Sequence, residues 1–121
     1  MNQSKENYLK TILLLERKNG YARVIDIAEE LSVSRPSTSR AVSILKEMKY
    51  LTTVEHMIKL TAAGLKKADE VYRRHIVLVN FFIGIGVPES KATQIACSVE
   101  HCVDKQTYQL LEKHMMDTKR E

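Results

Sequence analysis

The stretch Val24-Ile-Asp-Ile-Ala-Glu-Glu-Leu-Ser-Val-Ser-Arg-Pro-Ser-Thr-Ser-Arg-Ala-Val-Ser-Ile-Leu45 decides the fold. Ile25, Ile27, Ala28 and Leu31 recur at helical spacing and mark a short helix. Ser32-Val33-Ser34 reads as a tight turn. Ala41, Val42, Ile44, Leu45 and Met48 mark a second helix, with Ser34 as its N-cap and Pro36 in its first turn, where a missing N–H costs little. The pattern is that of a helix-turn-helix. Ala28 is small where two helices cross, Val33 is expected to plug the turn into the core, and Ile27, Leu31, Val42 and Leu45 fill the junction.

Outward from this stretch the chain stays helical, with one exception. Tyr8, Ile12 and Leu15 share a face of a first helix over residues 4–17, with Ser4 as its expected N-cap and Asn19-Gly20 as its stop. After the second helix of the motif come two β-type runs, 51–54 and 57–60, around Glu55-His56, which read as a small hairpin. Thr61 can cap a long helix to about Phe82 or Ile83, broken by Gly84 and Gly86. Pro88-Glu89 opens another helix to about Cys102. Asp104 can cap a last one ending near Met116, and residues 117–121 are expected to fray. The expected fold class is mainly α: a winged helix-turn-helix with a β-hairpin wing over 1–61, then an α-helical dimerisation domain over 62–121.

Composition narrows the function classes. The 121 residues carry 19 Lys and Arg against 15 Asp and Glu, a net charge of +4 that suits a polyanion without demanding one. There is no Trp, and Gly and Pro total only six, so forced breaks are few. Met1 to Lys10 is polar and lacks the apolar stretch of a secretory signal. The longest apolar run, around Ile76 to Ile85, is too short to span a bilayer. The expectation is a cytoplasmic protein whose two cysteines, Cys97 and Cys102, stay reduced.

The outer face of the second helix of the motif is polar. Arg35, Ser37, Thr38 and Arg40 stand near its N-terminus, together with Ser34 and Pro36. Helix N-terminal amides suit phosphate, Ser37 and Thr38 can donate to backbone oxygens, and Arg40 is long enough to fork onto guanine. At the hairpin tip His56 and Lys59 are the polar candidates for a groove or phosphate contact. The bland alternative is a corner of two helices with a solvated, mildly basic face.

A second constellation is Ala96-Cys-Ser-Val-Glu-His-Cys102. On a helix Cys97, Glu100 and His101 stand at i, i+3 and i+4 and point the same way. A thiolate, a carboxylate and an imidazole together suit Fe²⁺, Mn²⁺ or Zn²⁺. His75, on the long helix, is the best further ligand. Taken singly, each of these has a bland reading as core or surface. Cys102 lies about 140° around the helix from Cys97 and is read first as core, with metal ligation as the lesser alternative. A Cys97–His101 nucleophile pair would make an enzyme, but no glycine-rich oxyanion loop accompanies it, so no enzymatic activity is expected.

Taken together, Glu6-Asn-Tyr-Leu-Lys-Thr-Ile12, Asp26-Ile-Ala-Glu-Glu-Leu31, Val33-Ser-Arg-Pro-Ser-Thr-Ser39, Leu60-Thr-Ala-Ala-Gly64, Arg73-Arg-His75 and Cys97-Ser-Val-Glu-His101 resemble the diphtheria-toxin-repressor and manganese-transport-regulator family. The resemblance implies a metal-dependent repressor of metal uptake or homeostasis genes. It would bind a palindromic double-stranded DNA operator as a homodimer when loaded with Fe²⁺ or Mn²⁺, with Zn²⁺ possible, and would need no membrane and no small organic ligand. By position, Cys97, Glu100, His101 and His75 fall on family metal ligands, and Asn7 falls where the family has Met or Asp. Lys10 stands where manganese-type members have Glu, while Val79 and Thr93 replace ancillary ligands of the iron regulators. These departures imply one ion per subunit. They also keep open the alternative of a metal-independent winged-helix regulator with a degenerate site. The SH3-like third domain of the iron regulators is not expected.

Overall fold

The computed structural model describes residues 2–119, with side chains through residue 117. Its elements run α1 (Gln3–Asn19), α2 (Val24–Leu31), α3 (Arg35–Glu47), β1 (Leu51–Val54), β2 (Met57–Leu60), α4 (Ala62–Gly84), α5 (Glu89–Val99) and α6 (Lys105–Lys119). The chain divides into two compact units, Met1–Glu70 and Val71–Glu121. The sequence had suggested a boundary at Thr61. In the structure the first two turns of α4 belong with the elements before them. Of the tail expected to fray, residues 117–119 continue α6, and 120–121 lie outside the described residues.

In the first unit α1 packs on α2, α3 and β2, and α3 packs on β1. Leu9, Ile12, Ile27 and Leu45 are fully buried at this junction. Each removes enough apolar surface from water to contribute about 1.5–3 kcal/mol. The hairpin is antiparallel, with Leu51 opposite Leu60 and Val54 opposite Met57. Its turn residues Glu55 and His56 both have left-handed backbones, φ 49° and 68°. A two-residue turn of this hand matches strand twist but favours Asn-Gly, so this tip is strained.

Helix ends are set by local chemistry. The Oδ1 of Asn2, rather than Ser4, caps α1 by accepting from the Lys5 amide at 3.0 Å. Asn is at least as good a cap, and it stands two residues earlier. Gly20, at φ 86°, closes α1 by donating its amide to the Glu16 carbonyl. At the end of α2 the amides of Ser32 and Val33 reach the carbonyls of Glu29 and Ala28, and Ser32 adopts φ 54°. This is a Schellman closure with serine in the position glycine usually takes. It explains a departure from expectation: Val33 does not plug the core but is 39% exposed, because backbone hydrogen bonds hold the turn.

Thr61 joins the wing to α4. Its amide donates to the Tyr50 carbonyl at 3.0 Å, its hydroxyl to the Lys49 carbonyl at 2.7 Å, and its Oγ1 accepts from the Gly64 amide at 3.0 Å. Gly64 is required there. A Cβ on it would land on the Tyr50 carbonyl oxygen, which as backbone cannot step aside.

Among the described residues, the regular secondary structure of the second unit is all helical. Val71, Val77, Leu78, Ala92 and Ala96 are its buried apolar residues. Phe81 and Phe82 meet edge to face at 5.6 Å, while Leu110 remains 61% exposed and Leu111 half-buried. Asp104 caps α6 as expected, accepting from the Thr107 amide at 2.7 Å. No helix among the described residues is long and apolar enough to cross a membrane.

Candidate nucleic-acid interface and metal centre

α3 presents Arg35, Pro36, Ser37 and Arg40 to solvent from its first two turns. Ser34 is the cap itself: its Oγ accepts from the Ser37 amide at 3.2 Å and donates to Ser37 Oγ at 2.9 Å. That geometry commits the Ser34 proton inward and leaves the Ser37 hydroxyl proton for an outside acceptor. Thr38 must be taken off the expected interface. It is completely buried, and its Oγ1 donates to the Ser34 carbonyl at 2.9 Å. It stands on the core side of α3 with Val42 and Leu45, so it cannot reach DNA.

His56 and Lys59 on the hairpin are exposed. A groove between α3 and the hairpin is lined by Arg23, Arg35, Glu55 and His56, floored by Val42 and Ile58. Two of these features were not singled out from the sequence. Arg23 ends the short extended run 21–23 ahead of α2, and nothing in that run marked it as a functional residue. Lys46, near the end of α3, donates to Thr53 Oγ1 at 2.9 Å and so ties the helix to β1. That link could not be read before the hairpin register was known.

Four of the five expected metal ligands lie in the second unit and are brought together. Glu100 Oε2 is 2.7 Å from His75 Nδ1, and Glu100 Oε1 is 3.3 Å from His101 Nε2. Cys97 Sγ is 3.9 Å from His75 Nδ1. The Glu100 side chain is wholly buried and His101 nearly so, whereas Cys97 is exposed. A buried carboxylate must be matched by donors or cations, and here two imidazoles flank it. Tyr72 stacks near His75, with ring centroids 6.4 Å apart.

α5 ends at Val99, three residues earlier than expected. Glu100 keeps a helical backbone and donates its amide to Ala96, but the Cys102 amide turns back to Val99. Cys97 and Glu100 therefore share a helical turn, while His101 enters the cluster from the turn that follows. Cys102 is exposed on that same turn, so it is not the core residue expected of it.

The donor chemistry, two imidazoles, a carboxylate and a thiol, fits a divalent transition metal. Among the described residues, however, no three such groups already surround a common point. Asn7 lies in the first unit, on α1, beside Tyr8, Leu31 and Val33. Lys10 on α1 is buried.

Comparison with known proteins agrees with both regions. Residues 1–65 match the family described as iron dependent repressor, N-terminal DNA binding domain, and residues 61–121 match iron dependent repressor, metal binding and dimerisation domain. Among solved structures, IdeR of T. acidophilum is similar at 26% identity with a TM-score of 0.81, over 91% of this chain and 53% of that one. The manganese regulator SloR is similar at 27% identity and TM-score 0.81, over 92% of this chain and 53% of that one. The hypothetical protein SSo2273 from Sulfolobus solfataricus shares the fold at TM-score 0.72 and 19% identity, over 95% of this chain and 89% of that one. The chain thus spans about half the length of the first two. With both family domains matched in order along its length, the chain belongs to the iron-dependent repressors, with a winged-helix DNA-binding domain followed by a metal-binding and dimerisation domain.

Proposed function

We propose that the protein represses metal uptake or homeostasis genes by binding a pseudo-palindromic operator as a homodimer when it holds Fe²⁺ or Mn²⁺. The observation that carries this is the buried Glu100 carboxylate flanked by His75 and His101, with Cys97 exposed beside them. His75, Cys97, Glu100 and His101 would hold one ion, and its positive charge would offset the buried carboxylate while the ligands from α4 and from the end of α5 were drawn together. Asn7 is a weaker candidate, since an amide oxygen is a poorer ligand than a carboxylate. Ser37 and Arg35 would meet phosphates, and Arg40 would read a base, with His56 and Lys59 touching the flank. In a dimer the two copies of α3 would sit about one DNA turn, roughly 34 Å, apart.

By linkage, if metal strengthens DNA binding, DNA strengthens metal binding by the same factor. Selection of duplexes from a random library, with Mn²⁺ and then with chelator, tests the proposal. It expects an inverted repeat recovered only with metal, and equal recovery in both conditions would remove the switch.

A second reading is a regulator blind to metal. The buried cation Lys10, and the absence among the described residues of three donors around a common point, favour it. Calorimetric titration with Mn²⁺, Fe²⁺ and Zn²⁺ separates the two, because this reading expects no saturable heat.

A further inference from the structure

The segment before α2 extends the hairpin. Ala22 pairs antiparallel with Ile58, its amide donating to the Ile58 carbonyl at 3.0 Å and the Ile58 amide donating back at 2.7 Å. Successive residues of an extended segment face opposite ways. Ala22 is fully buried, which places Tyr21 and Arg23 together on the other side. There the Arg23 guanidinium carbon lies 5.2 Å from the centroid of the Tyr21 ring, a cation–π arrangement that limits where the side chain points. Arg23 is exposed and lines the same groove as Arg35 and His56. Glu55 is the one carboxylate in that lining, so the groove carries two guanidiniums and an imidazole against a single negative charge.

We propose that Arg23 is a DNA-backbone contact, a phosphate clamp held beside the wing by the Tyr21 ring. This rests on the reading of the first unit as a DNA-binding head. Phosphate is the partner because Arg23 stands on the hairpin's flank and not on the helix that carries Ser37 and Arg40. A guanidinium braced on a ring offers a flat fork of N–H donors matched to two phosphate oxygens. Its contribution is therefore independent of base sequence.

The experiment uses the full chain loaded with Mn²⁺. Fluorescence anisotropy follows binding to a selected operator duplex and to an unrelated duplex of equal length, from 50 to 200 mM KCl. In Arg23→Gln the slope of log affinity against log salt should fall by about 0.9, the value of one phosphate contact. The deficit relative to wild type should therefore be about 3- to 4-fold larger at 50 mM than at 200 mM, and the same on both duplexes. Arg23→Lys should keep the slope.

An unchanged slope with a lowered melting temperature would make Arg23 a structural residue and overturn the proposal. A loss confined to the operator would make it a base reader and overturn it equally. If wild type binds neither duplex, the repressor reading fails and this inference with it. If wild type binds and Arg23→Gln tracks it at every salt concentration, only the assignment of Arg23 fails.

Discussion

His75 Nδ1 and Glu100 Oε2 lie 2.7 Å apart although 25 residues separate them in the chain. One residue is on α4 and the other just past α5, so this contact ties the two helices. It makes Glu100 the hub of the candidate metal centre, with an imidazole at each oxygen. Glu100→Gln keeps the shape and removes the charge. Since disturbing even the outer partners of a ligand costs about 10–100-fold in metal affinity, losing this carboxylate should cost at least about 100-fold. Calorimetry with Mn²⁺ measures it, and an unchanged helical circular dichroism spectrum shows that the fold persists.

Much of this was legible in the sequence, because helix caps and hairpins are written in short-range chemistry. Ser34, Thr61 and Asp104 cap where expected, and both strands fall on the expected residues. Long-range packing was not legible. Thr38 reads as polar surface until the orientation of α3 buries it. Cys102 reads as core only if α5 continues, and the helix stops before it. Val33 looked like a plug because its apolarity was visible, whereas the hydrogen bonds that do its work belong to the backbone. For the metal centre, the spacing of Cys97, Glu100 and His101 placed them together, but only the fold shows Glu100 buried and His75 against it.

Gly64 should tolerate no side chain. Its Cβ position coincides with the Tyr50 carbonyl, which already accepts the Thr61 amide. In Gly64→Ala either α4 must shift or that hydrogen bond must break. Overpacking of this kind costs about 1–3 kcal/mol and here should reach the upper end. Urea denaturation should show a lower midpoint with an unchanged slope.

Four residues at three sites carry left-handed backbone strain that substitution can relieve. Ser32 and Lys49 each close a helix through a Schellman pair of hydrogen bonds, at φ 54° and 66°. The end of α4 makes the same pair with Gly86 at φ 105°, where no Cβ opposes it. Ser32→Gly and Lys49→Gly should each stabilise by up to about 1 kcal/mol. Replacing Glu55-His56 with Asn-Gly should stabilise the wing similarly. The increments should add, because no hydrogen bond or ion pair among the described residues joins the sites, and thermal unfolding of single and combined variants measures this.

Asp104 gives the last helix a pH dependence of known sign. Hydrogen bonds from the Thr107 hydroxyl and then its amide hold the Asp104 carboxyl below the ordinary aspartate value. A carboxyl with a depressed folded-state pKa contributes stability above its unfolded pKa and loses it as pH falls through the folded one. The cap on α6 should therefore be intact at neutral pH and weaken only in acid below the normal aspartate range. Amide exchange at Gln106 and Thr107 should rise there. In Asp104→Asn, which still accepts the hydrogen bond but does not titrate, exchange should show no such acid step.

Arg40 and Thr38 sit two residues apart on α3 and should respond oppositely to substitution. Arg40 is exposed, so Arg40→Ala should leave the melting temperature unchanged. As a guanine reader it would account for about 1–3 kcal/mol of discrimination, and its loss should relax the recovered operator at one position per half-site. Thr38 is buried with its hydroxyl committed to the Ser34 carbonyl. Thr38→Val should therefore lower stability by about 1 kcal/mol, the net value of one hydrogen bond, and leave base preference unaltered. Library selection paired with thermal melts distinguishes the two residues. A Thr38→Val protein that folds normally but selects a different sequence would return Thr38 to the interface.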